Sequence, residues 1–349
     1  MQNKPKYALL LLVTLALLIA AVGSTTAQDD IIGPDEYPEG VNPLTGLAVS
    51  DPTTIARRPV AVKISNYPPD PVRPQSGLSQ ADIVFEHEAE GGTTRMTAIF
   101  LSTFPDKVGS MRSARLIDTQ LPAMYRAIFI FSGASDGVRQ RLYSMPFGEQ
   151  GRAMLADTLN EPVVFRDADI PAPHNFFANT QEVSALADLW GIRNDTPGLH
   201  GTAFSASIPA GGTPARVIDL SYGNEEVRWF YEGRLARYAR YSDGEPHMDR
   251  VNGQQLTAQN VVVLYVDHVE DTSIREDEFG GGHYSIEIQL WGQGPCELFR
   301  DGQRFSCLWA RADDFSMLTL TTPDGTLLPL KPGVTWYQIM RPGSSVDVH

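Results

Sequence analysis

The sequence predicts an α+β fold: a mixed or antiparallel sheet with flanking helices in a first domain, then a β-rich second domain. Three observations lead there. Short apolar runs with a two-residue period begin early, where Val60, Val62 and Ile64 alternate with Ala61, Lys63 and Ser65. In the second half such runs are punctuated by Glu232-Gly233, Asp243-Gly244, Asp301-Gly302 and Asp324-Gly325, turn dipeptides that join neighbouring strands. Helical signals fall in the first half and are clearest at 180–190, where Asn179 and Glu182 form a capping-box start and Gly191 a stop.

In chain order, residues 1–27 read as a signal peptide: Lys4 and Lys6 precede the apolar run 8–22, and Thr25-Thr26-Ala27 supplies small residues for cleavage. Left uncleaved, the same run would tether the chain to a membrane. Residues 28–58 are an acidic, Pro/Gly-rich tether and docking segment, in which 42–47 (NPLTGL) packs as a fixed lead-in. The first domain, 59–200, continues with a proline-rich loop at 67–76 and a strand at 81–90 that sets Ile83 and Phe85 against Val84, Glu86 and Glu88. Gly91-Gly92 turns the chain into a β-rich partner at 94–103. Leu116, Leu121 and Met124 fit a helix that Pro122 kinks or breaks. The stretch 194–214, rich in Gly, Pro, Thr and Ser, marks the domain boundary. In the second domain, 213–349, strands are expected at 217–220, 227–231, 235–241, 261–266, 285–291, 317–321 and 327–330.

The only cysteines are Cys296 and Cys307. An Asp301-Gly302 turn pairs Arg300 with Gln303, and the same register sets Cys296 opposite Cys307. Residues so placed lie about 4.5–5.5 Å apart at Cα, within reach of a disulfide, and an exported chain meets an oxidising compartment. The 349 residues carry a formal net charge of −14. That argues against nucleic acid, which needs a basic surface to replace counterions.

The ordered motifs NPLTGL (42–47), RPVAVKISN (58–66), RPQSGLSQADIVFEHEAEGGTTR (73–95), VGSMRSAR (108–115), FSGAS (131–135) and PHN (173–175) resemble those of the YerB-like family of bacterial cell-envelope proteins. In the second half HMD (247–249), NVVVL (260–264) and LKPGVTWYQI (330–339) extend the likeness. The family is one of unknown function. The resemblance implies an extracytoplasmic location and an α+β fold, and no established activity. Lipoprotein-like members carry an N-terminal lipidated Cys. No Cys stands near residue 27 here, so that anchor does not carry over.

Chemistry concentrates at 109–137. Arg112 and Arg115, three apart at an expected helix start, share one helix face and form an anion site with the N–H groups near Ser113. The bland alternative pairs each with an acid such as Asp118 or Glu86. Glu86, Glu88 and Glu90 alternate along one strand and read best as a solvated or arginine-paired face. Glu86, near Arg95 across the turn, is the exception that orients Arg112 or Arg115. His174, made rigid by Pro173, and its neighbour Asn175 join the same site. Ser135 reads as the N-cap of a helix carrying Val138, Leu142 and Tyr143, and it sits outside any nucleophile elbow. His247, Asp249 and His283 have no fixed mutual distance, so neither a metal site nor a cofactor is expected. Trp291, Trp309 and Trp336 are a sugar-stacking face or, for at least two of them, core. The combined expectation is non-enzymatic binding of an anionic cell-wall component or an envelope partner protein by Arg112, Arg115, Arg95, His174, Glu86, Asn175, Ser113 and Ser135. The rival is a hydrolase of wall glycan or phosphoester with His174 or Glu86 as acid–base.

Overall fold

The computed structural model describes residues 31–276 and 282–349. The expected leader, its cleavage site, the first residues of the tether, and Gly280-Gly281 lie outside them. No described helix is long and apolar enough to cross a membrane.

The strand period seen at 60–65 and 83–89 builds the centre of an 11-stranded mixed sheet. Its order runs Thr319–Thr321, Gln303–Arg311, Gly292–Arg300, Asn260–Tyr265, Thr335–Met340, Ile83–Ala89, Thr93–Phe100, Val60–Ser65, Ile128–Phe131, Ala153–Leu155, and Thr213–Pro214 pairs with Gln303–Arg311 off this path. The fold is α+β, with helices beside the first-half strands and a β-rich second half. What local sequence did not announce is that one sheet spans both halves. Thr335–Met340, near the C-terminus, lies parallel to Ile83–Ala89 on one side and to Asn260–Tyr265 on the other. All six of its residues are buried, as a strand with parallel neighbours and both faces covered requires.

Strand alternation sends side chains into two cores. On one face Phe85, Ile99, Phe129, Tyr337 and Ile339 pack with Leu116, Leu121, Met124, Val138 and Leu142; Phe85 and Tyr337 stack 4.5 Å apart. On the other, Val84, Ala98, Phe100, Val261 and Trp336 meet Ile218, Leu220, Val227, Trp229 and Tyr238. The latter residues belong to a second, six-stranded sheet in which Val217–Ser221, Glu226–Glu232 and Arg237–Ser242 are consecutive antiparallel neighbours. Trp309 and Trp336 are core, while Trp291 is 45% exposed.

Several local expectations hold. Asn179 caps Thr180–Leu189 by accepting from Gln181 and Glu182 N–H, and Gly191 takes the left-handed conformation (φ 68°) that ends it. Pro122 breaks the expected helix into a 3₁₀ turn, Leu116–Thr119, and the short helix Leu121–Met124, where it occupies the first turn and needs no N–H donor. In the lead-in, Leu44 is buried and Asn42 Nδ2 donates to the buried Asp82 carboxylate (3.1 Å). Two expectations do not hold, and one strand arises unannounced. Residues 327–330 touch neighbours only as isolated bridges. Leu235 lies in an exposed loop before Arg237–Ser242. A strand not anticipated, His268–Arg275, pairs with Tyr284–Ile288.

Asp301 and Gly302 adopt φ of 54° and 71°, the two positive values a two-residue hairpin turn needs. Cys296 therefore faces Cys307 with Cα atoms 4.8 Å apart, and they are bonded. Closing a loop of this size constrains the unfolded chain by about 3 kcal/mol. The Cys296→Ser/Cys307→Ser double variant should lose up to about that much in urea unfolding. A midpoint unchanged from the oxidised wild type would show that the hairpin needs no staple.

Candidate functional site

The segment carrying Arg112 and Arg115 is extended, not helical. Val60–Ser65 and Ile128–Phe131 pair in parallel only from Val60 to Val62; beyond that point they diverge, and residues 110–114 fill the gap. Arg112 N–H donates to Lys63 O (3.0 Å), Ser132 N–H to Arg112 O (3.1 Å), and Ala114 N–H to Gly133 O (2.8 Å). The sheet ladder thus consumes the backbone groups that a helix start would have left free. The place is nonetheless apt: crevices outside the carboxyl ends of parallel strands are where open sheets receive ligands.

A buried ion pair fixes the far end of this segment. Lys63 Nζ donates to Asp118 Oδ1 (2.9 Å), Thr97 Oγ1 (3.0 Å) and His87 Nε2 (2.6 Å), which uses all three of its protons. His87 Nδ1–H then goes to Glu88 O (2.8 Å). Burial pulls Lys63 down to about 8 against the opposing pull of Asp118. The second Asp118 oxygen accepts Arg115 N–H (2.7 Å) and so starts the 3₁₀ turn Leu116–Thr119.

Arg115 is spent on carboxylates: its Nε meets Glu90 Oε2 at 2.5 Å and its Nη1 meets Glu276 Oε2 at 3.2 Å. Arg95 donates Nη1 to Ser113 O (2.6 Å). Arg112 has no carboxylate or carbonyl partner for its guanidinium among the described residues. Arg95 and Arg112 both sense the Arg115 charge. Burial lowers Arg95 well below its ordinary value and Arg115 lowers it further; Arg112 is lowered for the same two reasons. His174 joins them, its imidazole lowered by burial and then by the Arg112 charge. Its Nδ1 is buried with no hydrogen-bond partner among the described residues. Ser113 lies against Gly133, where an added Cβ would sit 3.2 Å from its Oγ. Ser135 stands at the N-cap position of Asp136–Ser144 but caps nothing; its Oγ donates to Glu276 Oε1 (3.0 Å) instead.

Arg112, Arg115, Arg95, His174, Ser113 and Ser135 therefore come together, and Glu86 and Asn175 do not. Asn175 Oδ1 accepts from Arg166 on an exposed surface (3.0 Å). Glu86 pairs in register with Met96, one residue out of phase with Arg95, so the two-residue period puts it on the opposite face of the sheet. There its Oε2 meets Arg240 Nη2 at 2.7 Å, fully buried. Glu88 is forked by Arg341 (2.7 and 2.9 Å). All three alternating glutamates are thus arginine-paired. The acid that sequence reasoning missed is Glu276, which only the His268–Arg275 strand brings to Arg115. His247 and Asp249 are also committed: His247 Nε2 contacts Gln75 Oε1 (2.5 Å), and Asp249 accepts from Gly77, Ser79 and Val251 N–H.

Around Arg240 the hydrogen bonds demand an extra proton. Thr94 Oγ1 lies 3.0 Å from Glu86 Oε1 and 2.7 Å from Glu225 Oε2. One hydroxyl proton serves one of them, so the other contact needs a carboxyl proton. Burial, opposed by Arg240 and reinforced by Glu225, raises Glu86 to about 7. Glu225, held by Arg240 and Arg73 against the cost of burial, falls to about 2.

Two sequence halves that share one sheet are matched by known relatives. Residues 44–193 match "Protein of unknown function (DUF3048) N-terminal domain", and residues 218–337 match its C-terminal domain. The chain is 32% identical over 322 residues to "Putative lipoprotein YerB" of Bacillus subtilis, covering 90% of this chain and 89% of that protein. It matches the crystal structure of YerB protein from Bacillus subtilis with a TM-score of 0.72 at 29% identity, covering 88% of this chain and 99% of that one. The chain belongs to the YerB-like (DUF3048) family, whose function is unknown.

The carboxyl pair makes stability pH-dependent on both sides. Glu86, raised from 4.5 to about 7, contributes stability that is full below pH 4.5 and lost as pH rises through 7. Glu225, lowered from 4.5 to about 2, contributes stability present above pH 4.5 and lost as pH falls through 2. Urea melts of Glu86→Gln should flatten the decline between about pH 5 and 8 while keeping the acid limb. An unaltered slope in that window would place the proton elsewhere.

Proposed function

We propose that this chain is an extracytoplasmic cell-envelope protein that binds an anionic cell-wall component, without catalysis, at the arginine cluster around Arg112. The relative named a lipoprotein and the signal-peptide pattern at 1–27 support the location. The observation that carries the binding reading is the Arg112 guanidinium. It sits half-buried beside Arg95 and Arg115 with no counter-charge of its own among the described residues. Against the described carboxylates Glu90 and Glu276 the cluster has a positive excess, inside a chain of net charge −14. Such a contrast attracts a small anion and repels a long polyanion. A planar guanidinium fork suits a phosphate or carboxylate. A wall-assembly protein presenting an acidic side chain would use the same contact.

His174 supports a second reading. A neutral imidazole with a free nitrogen beside arginines is what a hydrolase of wall glycan or phosphoester would use as acid–base.

Wild type screened by thermal shift against phosphate-bearing and carboxylate-bearing wall fragments should gain stability by mass action, about 2.7 kcal/mol at a hundredfold excess over Kd. Arg112→Ala should abolish the gain and His174→Ala should keep most of it. Equal shifts in wild type and Arg112→Ala would end the binding reading. Fragment turnover by wild type that His174→Ala loses would replace it with the hydrolase.

A further inference from the structure

The outer face of the six-stranded sheet carries a cavity of about 670 Å³ that shares no lining residue with the Arg112 cluster. It is lined by Asp219, Glu226, Arg228, Phe230, Glu232 and Tyr241. The inner residues of the same strands, Val227 and Trp229, are buried against the central sheet. By strand alternation 226, 228, 230 and 232 must then point outward together. Arg228 faces Tyr241 and Asp219 in the antiparallel registers, which puts the Phe230 ring diagonal to that of Tyr241. Two half-buried rings side by side on a sheet make a flat apolar platform.

The polar groups round the platform are of two kinds. Arg228 is held in a fork by Asp219 (Nε–Oδ1 2.6 Å, Nη2–Oδ2 3.0 Å) and keeps further N–H groups to donate. Glu226 accepts from Ser221 Oγ (2.8 Å) and Glu232 stands opposite Arg237 in register, yet neither is in an ion pair among the described residues. They stand at the two ends of the row, about 20 Å apart along the strand.

We infer that this cavity is a second binding site, for an extended glycan bearing free amino groups. Sugar rings present apolar C–H faces that lie flat on aromatic side chains, and their hydroxyls both donate and accept. A platform flanked by guanidinium and carboxylates meets both needs. The two carboxylates, one at each end and neither in an ion pair among the described residues, complement amines carried on separate sugars of one chain. They also exclude the anionic ligand assigned to Arg112, so the two sites differ in the charge of what they take. A ligand long enough to reach both carboxylates gains from both, and a short one gains from one.

The probe is a fully deacetylated glucosamine hexasaccharide, compared by calorimetry with its N-acetylated counterpart and with the deacetylated disaccharide. The deacetylated hexasaccharide should bind saturably, at least tenfold more tightly than either comparator. Tyr241→Ala should weaken it at least tenfold. Should Tyr241→Ala unfold, Glu226→Gln/Glu232→Gln alters only rim carboxylates and should weaken it to the same degree. Arg112→Ala should bind it as wild type does, which separates this site from the arginine cluster. Absence of saturable binding, equal binding of the acetylated chain, or insensitivity to the Glu226→Gln/Glu232→Gln change would each overturn the inference.

Discussion

Arg240 is the constraint on which the rest of the structure depends. Its guanidinium, wholly buried, holds Glu86 from the first half of the chain and Glu225 from the second, at 2.7 and 3.2 Å. It also lies over the ring of Trp336, 5.1 Å away. His247 also touches the guanidinium, while Asn66 and Thr94 bond Glu86 and Ser242 bonds Glu225. Removing one member of such a buried set strands the others without solvent, which costs more than the set contributes against an apolar replacement. Its value is specificity. Arg240, from the six-stranded sheet, is tied through Glu86 to the central sheet.

The strand Thr335–Met340 does the same work through the backbone. Lying parallel between Ile83–Ala89 and Asn260–Tyr265, it forbids the halves from closing separate sheets. Contacts between residues so distant in sequence carry a large loop-closure cost before they return anything. Two family segments that can be recognised independently along the chain are thus joined in space by one shared sheet.

The Arg112 cluster follows from that frame. Val60–Ser65 and Ile128–Phe131 separate beyond Val62, and the wedge of 110–114 between them is pinned at its end by the Lys63–Asp118 pair. The arginines converge because the backbone is extended and laddered on both sides, not because they share a helix face. The other face of the molecule, beyond the six-stranded sheet, shows rings and carboxylates instead of guanidinium groups. The two surfaces are kept apart by two layers of sheet and the core between them.

Much was legible in the residues alone. Alternating runs announced the strands, Asn179 and Gly191 bounded a helix, and Asp301-Gly302 set the register that joins Cys296 to Cys307. These are local rules, in which a residue's neighbours a few positions away decide its conformation. The cationic cluster was legible by residue type, though not by conformation. Three things were decided only in three dimensions: the pairing of Glu86 with Arg240, the arrival of Glu276 beside Arg115, and the placing of the C-terminal strand at the centre of the sheet. Each rests on contacts between segments far apart in the chain. A one-residue change of phase sends a side chain to the opposite face of a strand, and only packing against the rest of the molecule chooses which partner waits there.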